Sequence, residues 1–152
     1  MKLTMKSASG LKEIVNLDKN FQFDAAKGTQ YIFSKGFSSY SLGFKDNQKS
    51  VELVFNVDGK PIKISLNGIV PLLQENTANT KNPTTLIINK NISDKDIDTV
   101  LADKDFNGSE IIDKLDGLSS NNPENLALIS NFQTLVESLA AAAAGGEGAT
   151  SN

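Results

Sequence analysis

The stretch SVELVFNVDGKPIKISL, residues 50–66, constrains the fold more than any other part of the chain. On both sides of Asp58-Gly59, every second residue is apolar, as in a strand with one buried face. An Asp-Gly pair between two such runs is the strongest short-range signal for a tight β-hairpin. Pro61 has no backbone N–H, so we expect the start of the second strand to lie at an edge or outside the ladder. The alternating apolar residues are Val51, Leu53, Phe55 and Val57, and then Ile62, Ile64 and Leu66.

Further short strands are predicted on either side of this hairpin. The runs FQFDAA, TQYIFS and YSLGFKD are rich in aromatic residues and are separated by Lys-Gly and Ser-rich breaks, while TTLIINK follows the polar loop QENTANTKNP. We interpret the glycines between these runs as turn residues. Many short strands at close spacing predict a small antiparallel β-sandwich or roll over about residues 1–90. The glycines assigned to turns are Gly10, Gly28, Gly36, Gly43 and Gly59.

After residue 90 the apolar residues follow a helical spacing of three and four. Ser93 is a candidate N-cap for a short helix that contains Ile97, Val100 and Leu101. A second short helix is predicted from a run of apolar residues, with Gly108 turning the chain before it and Ser109 as its cap. The apolar residues of the second helix are Ile111, Ile112 and Leu115.

A third, longer helix is predicted to begin at Asn122, which can cap it, with Pro123 at the first helical position. Alanine favours helix, so Ala140–Ala144 can extend this helix until Gly145 and Gly146 end it. The predicted domain is therefore residues 1–139, β-rich over 1–90 and helical over 91–139, and residues 140–152 form an Ala/Gly segment. The apolar face of the third helix consists of Leu128, Phe132, Leu135, Val136 and Leu139.

Composition argues against several classes of protein. The chain contains no histidine and no cysteine, all 15 basic residues are lysines, and the formal net charge is −3. These absences remove the commonest general base, the thiol nucleophile and the usual zinc ligands. An acidic chain without arginine is a poor candidate for binding nucleic acid. We therefore predict that the protein is not an enzyme, has no resident cofactor and does not bind nucleic acid.

The chain also has no long apolar run. Its first 20 residues lack the apolar core of a secretory signal peptide, and nowhere do 18 apolar residues occur together. We therefore expect that the protein does not insert into a membrane. If it is exported, we expect a route that needs no N-terminal signal.

The stretch DKDFNGSEIID, residues 103–113, partly matches a calcium-binding loop. Asp103, Asp105 and Asn107 followed by Gly108 fit the first half of an EF-hand loop, but Lys114 occupies the position of the bidentate carboxylate. We interpret the stretch as a polar connection between two helices. A weak calcium site formed by Asp103, Asp105, Asn107 and Asp113 is the alternative.

The chain ends with ESLAAAAAGGEGATSN, which on composition alone is a helix end followed by a linker. Together with the β-rich part, above all LVFNVDGKPIKISLNGI, this arrangement resembles the N-terminal retention module of giant RTX and biofilm-associated adhesins (BapA/LapA-like) exported by type I secretion. In that family, a [Thr/Ala/Pro]-Ala-Ala-Gly motif follows the folded domain. Only Ala142-Ala143-Ala144-Gly145 ends in glycine here, so the resemblance places the cleavage site at the bond between Ala143 and Ala144.

The resemblance implies a monomeric domain that folds in the periplasm and jams a TolC-like outer-membrane channel, so that the adhesin stays on the cell surface. It implies release by a periplasmic LapG-like cysteine protease, under cyclic di-GMP control, with effects on cell adhesion and biofilm formation. Two alternatives stay open. One is a β-sandwich adhesion or matrix-binding module that uses the loops KDNQKS or QENTANTKNP, and the other is a calcium-binding domain.

Overall fold

The computed structural model describes residues 1–117, which contain eight strands and three helices. In chain order these are β1 (Lys2–Lys6), β2 (Lys12–Asn16), β3 (Phe21–Asp24), β4 (Gln30–Ser34), β5 (Ser39–Lys45), β6 (Ser50–Val57), β7 (Lys60–Asn67), α1 (Ile69–Gln74), β8 (Thr85–Ile88), α2 (Asp94–Leu101) and α3 (Gly108–Asp116).

The strands form two four-stranded sheets. Sheet A has the order β2-β1-β4-β8, and sheet B has the order β3-β7-β6-β5. Four of the six pairings are antiparallel, and β3 with β7 and β4 with β8 are parallel. The predicted mainly β fold with helices toward the C-terminal part is confirmed. The parallel pairs are an addition, because residue alternation reveals a strand but not the direction of its partner.

The predicted hairpin joins β6 to β7 through Asp58-Gly59. Both residues have positive φ, 53° and 81°, as a type I′ turn requires. The side chain of Asn56 accepts a hydrogen bond from the Gly59 N–H at 2.9 Å. Pro61 pairs with Asn56 of β6, while β3 pairs with β7 only from Ile64 onward. The missing N–H of Pro61 therefore lies beyond the end of the β3 ladder, as predicted.

The main hydrophobic core lies between the two sheets. Phe55 of β6 is fully buried, and its ring lies 5.1 Å from that of Phe33 and 4.9 Å from that of Phe37, between centroids. Ile69 and Leu73 bring α1 into the same core. Buried aromatic and branched side chains of this kind supply most of the free energy that stabilises a sandwich.

Strand β4 is buried on both faces. Tyr31 and Phe33 belong to the core between the sheets, whereas Ile32 points to the opposite side of sheet A. There it joins a second core with Ile87 of β8 and the helices α2 and α3. The described chain thus has three layers: sheet B, sheet A and the two helices. The other residues of the second core are Ile92, Ile97, Val100, Leu101, Phe106, Ile111 and Leu115.

The structure corrects three local predictions. Helix α1 lies inside the region predicted to contain only strands; its six residues, including Pro71, are too few to show a helical period. Gly43 lies within β5, paired with Glu52, and not in a turn. The N-cap of α3 is Asn107, and Ser109 is already helical. The third predicted helix lies outside the described residues.

The turn geometry gives a matched pair of substitutions. Gly59 and Gly28 both have positive φ, but a Cβ at Gly59 meets no atom within 4 Å, whereas one at Gly28 lies 2.9 Å from Ala8 Cβ. We expect Gly59→Ala to cost about 1–2 kcal/mol from backbone strain alone, and Gly28→Ala roughly 1 kcal/mol more from overpacking. Urea denaturation measures the free energy of unfolding of both variants. Gly59→Asn is the control, because asparagine tolerates this conformation, and equal losses for both alanine variants would contradict the described packing.

Candidate functional site

The predicted cleavage residues Ala142, Ala143, Ala144 and Gly145 lie outside the described residues. The last described elements before them are α2 and α3, through which the chain leaves the sandwich. We call residues 94–116, which comprise α2, its connection to α3 and α3 itself, the helical layer. In sequence, this layer lies between the sandwich and the predicted cleavage residues.

Both helices of the layer begin with a side-chain cap. The Ser93 hydroxyl accepts from the Asp96 N–H at 3.0 Å, as predicted from the sequence. Asn107 accepts from the Glu110 N–H at 3.0 Å, and the Glu110 carboxylate accepts from the Asn107 N–H at 3.2 Å. This reciprocal pair is a capping box, which satisfies two N–H groups that a helix start leaves free. The layer's inner side is apolar and packs on sheet A.

The face of sheet A beneath the layer is largely polar. Only Ile32 and Ile87 contribute strand side chains to the second core. Around them lie Thr4, Gln30 and Ser34, which are at most 2% exposed. Their side-chain oxygens Thr4 Oγ1, Gln30 Oε1 and Ser34 Oγ accept or donate no hydrogen bond among the described residues. A buried polar atom without a partner costs about 1–3 kcal/mol, so these oxygens lower the stability of the contact between the helical layer and sheet A.

Lysines of the sandwich hold α2 from several directions. Asp94 receives hydrogen bonds from Lys2 Nζ of β1 at 2.6 Å and lies 3.1 Å from Lys35 Nζ, which follows β4. Lys12 Nζ of β2 donates to Asp98 at 2.9 Å. Lys6 Nζ of β1 donates to the Leu101 carbonyl at the C-terminal end of α2, where the helix dipole favours a cation.

The described chain carries its positive and negative charges in different parts: the residues before α2 are net basic, and the helical layer is net acidic. Residues 1–93 carry 12 lysines and 7 acidic residues, a side-chain net charge of +5, whereas residues 94–116 carry 3 lysines and 8 acidic residues, a net charge of −5. The ion pairs of α2 lie at the boundary. This division was available from the sequence as a count along the chain, but which lysine meets which aspartate depends on the sheet order.

The candidate calcium ligands have other partners. Lys114 Nζ lies 3.0 Å from Asp103 Oδ2 and 5.5 Å from the centre of the Phe106 ring. Asn107 caps α3, and Asp105 and Asp113 are exposed. Within residues 1–117, no group of three or more carboxylate, histidine or cysteine side chains is arranged to hold a metal ion. The stretch serves as a helix connection in this structure, and calcium binding stays a hypothesis.

The two loops proposed for adhesion lie at different places. KDNQKS joins β5 to β6, with positive φ at Asp46, Asn47 and Gln48. QENTANTKNP borders an open cleft of about 470 Å³, in which Lys27 and Glu75 lie 3.6 Å apart. The cleft's inner wall is already hydrogen-bonded, since Asn76 donates to the Thr84 carbonyl at 2.7 Å and Thr84 accepts from the Gly28 N–H.

Comparisons with protein-family models, with curated proteins and with solved structures gave no match to this chain. Among residues 1–117, no helix combines the length and the apolar character needed to cross a membrane.

The pairing of Asp94 predicts a change in acid stability. Hydrogen bonds from Lys2 and then Lys35 hold the pKa of the Asp94 carboxyl below its usual value. The stabilisation is present above the unfolded-state pKa, about 3.9, and is lost as the pH falls through the lower, folded-state pKa. We expect the urea midpoint to fall less between pH 5 and pH 3 in Asp94→Asn than in the wild type, while the exposed control Asp105→Asn keeps the wild-type slope. Equal slopes for Asp94→Asn and the wild type would contradict this role.

Calorimetric titration with calcium chloride tests the alternative metal site. Because Lys114 neutralises Asp103 and Asn107 is engaged as a cap, we expect no saturable binding tighter than about 1 mM. Stoichiometric binding that Asp103→Asn and Asp105→Asn weaken, and that Asp58→Asn at the hairpin does not, would establish the calcium-binding alternative.

Proposed function

We propose that this chain is the retention module of a type I-secreted adhesin: a folded body that cannot pass an outer-membrane channel, followed by a protease-sensitive segment. The observation that carries the proposal is the order along the chain. A body with two hydrophobic cores occupies residues 1–117, and the sequence Ala142-Ala143-Ala144-Gly145 follows it. Neither element needs a ligand or a catalytic group, in keeping with the chain's lack of histidine and cysteine.

The width of the folded body is the physical basis of retention. A compact chain of this length has a radius of gyration of roughly 13 Å, hence a diameter of about 35 Å. A single helix with its side chains is only about 10–12 Å wide. A duct that admits an extended or helical chain therefore stops a body of this kind, provided that the body stays folded under load.

The composition of the proposed cleavage segment suits a protease. Proteases bind their substrates extended, and methyl side chains fit a narrow cleft in which larger ones would clash. Glycine disfavours helix by about 1 kcal/mol relative to alanine, so Gly145 and Gly146 favour opening of the chain next to the scissile bond. The bond between Ala143 and Ala144 also lies 26 residues beyond Gly117 in sequence.

Digestion of the full chain by a purified LapG-like periplasmic protease tests the proposal. We expect one cut, with a product that ends at Ala143 by mass spectrometry. Replacing Ala143 and Ala144 with arginine should abolish cutting and leave the circular dichroism spectrum unchanged, because the bulky cations cannot enter a small-residue pocket. Ala149→Arg is the control, since it adds the same cation outside the motif and should still be cut.

Unchanged cutting of the Ala143→Arg/Ala144→Arg variant would reject the assignment. Limited digestion by a nonspecific protease separates this function from an adhesion or matrix-binding module. A retention module should give a stable fragment that ends near residue 143. A binding module does not need a protease-sensitive bond near that residue.

A further inference from the structure

The contact between α2 and sheet A differs from the contact between the two sheets in how many apolar strand residues it buries. The sheets share a continuous core of fully buried side chains such as Phe33, Phe55 and Leu53. Beneath the helices, the strands offer only Ile32 and Ile87 to the second core. Most of that core is formed by residues of the helical layer itself, so removing α2 uncovers only two apolar side chains of the sheet, together with the helix's own Ile97, Val100 and Leu101.

We propose that α2 is an electrostatic latch: it undocks from sheet A in a salt-dependent step while both sheets stay folded. The inference goes beyond the proposed function and does not depend on it.

The buried oxygens favour undocking. Thr4 Oγ1, Gln30 Oε1 and Ser34 Oγ have no hydrogen-bond partner among the described residues and lie on the sheet face that the helices cover. Each gains water as a partner when the cover opens, so these three oxygens penalise the docked state. Elements of this kind open at lower free energy than the whole protein.

Ion pairs between α2 and the sandwich stabilise the docked state, so screening them with salt should favour undocking. Every described ion pair between the helical layer and the sandwich involves α2: Lys2 and Lys35 with Asp94, and Lys12 with Asp98. These lysines come from β1, β2 and the residue after β4, so α2 is held across three parts of sheet A. The pairs are solvent-accessible, and salt screens such pairs strongly, with a Debye length of about 10 Å at 0.1 M.

Within the part of the chain that the structure describes, the start of α3 is attached to the sandwich by neutral backbone hydrogen bonds and not by ion pairs. The start of α3 is tied by backbone hydrogen bonds to the loop before β8, from Asn82 N–H to the Phe106 carbonyl at 2.8 Å and from Ser109 N–H to the Ala78 carbonyl at 3.0 Å. Salt weakens neutral backbone bonds little. The salt-dependent opening is therefore expected in α2 before the start of α3 separates.

Hydrogen exchange of the full chain, followed by mass spectrometry at constant pH and temperature, tests the latch. Raising sodium chloride from about 20 mM to about 500 mM should speed the exchange of the α2 amides by roughly three- to tenfold, the loss expected for a few exposed ion pairs. Exchange in β6 and β7 should change less than about twofold, since neutral ladder bonds respond little to screening. An unchanged rate in α2, or an equal rise in α2 and in β6 and β7, would overturn the proposal.

Charge-neutral variants separate the pairs from a general effect of salt. Lys2→Gln/Lys12→Gln should reproduce fast α2 exchange at low salt and should remove most of the salt response. The control is Lys49→Gln/Lys60→Gln, which removes the same charge just before β6 and at the start of β7 in sheet B and should leave α2 exchange unchanged. A Lys2→Gln/Lys12→Gln protein with wild-type α2 exchange would also overturn the proposal. If that variant does not fold, the wild-type salt series still decides. None of these readouts involves the cleavage segment, so the latch and the proposed function fail independently.

Discussion

The burial of β4 on both faces is the constraint on which the rest of the structure depends. Its five residues are all buried, with Tyr31 and Phe33 facing sheet B and Ile32 facing the helices. A strand in this position must satisfy its backbone through neighbours on both sides, and β1 and β8 provide them. Because β8 directly precedes α2, the strand pairing that completes sheet A also places the helical layer over its outer face.

The two faces of sheet A then divide the molecule by physical character. Between the sheets, attraction is apolar and is not weakened by charge screening. On the outer face, a sparse apolar contact is surrounded by lysines, and the acidic helical layer packs against them. In chain order, the sandwich is followed by a helical layer that a second apolar core and ion pairs attach to sheet A, and then by the alanine-rich segment.

Much of this fold could be predicted from local patterns. The alternation around Asp58-Gly59 and the spacing of Ile97, Val100 and Leu101 specified a hairpin and a helix, because each signal resides in neighbouring residues. The parallel pairs and the contacts of Lys2 and Lys12 with α2 join residues far apart in sequence, so no local pattern contains them. The proposed cleavage bond came from a family resemblance alone, and it lies outside the residues that the structure describes.

The fraction of adhesin that stays on cells lacking the periplasmic protease tests the central claim, that a folded body is what retains the chain. Phe33→Ala/Phe55→Ala removes two neighbouring aromatic rings between the sheets, at about 3–5 kcal/mol each, and leaves the sequence Ala142–Gly145 intact. The account predicts that the intact adhesin then appears in the culture medium without being cut. Retention of this unfolded variant at the wild-type level would contradict it.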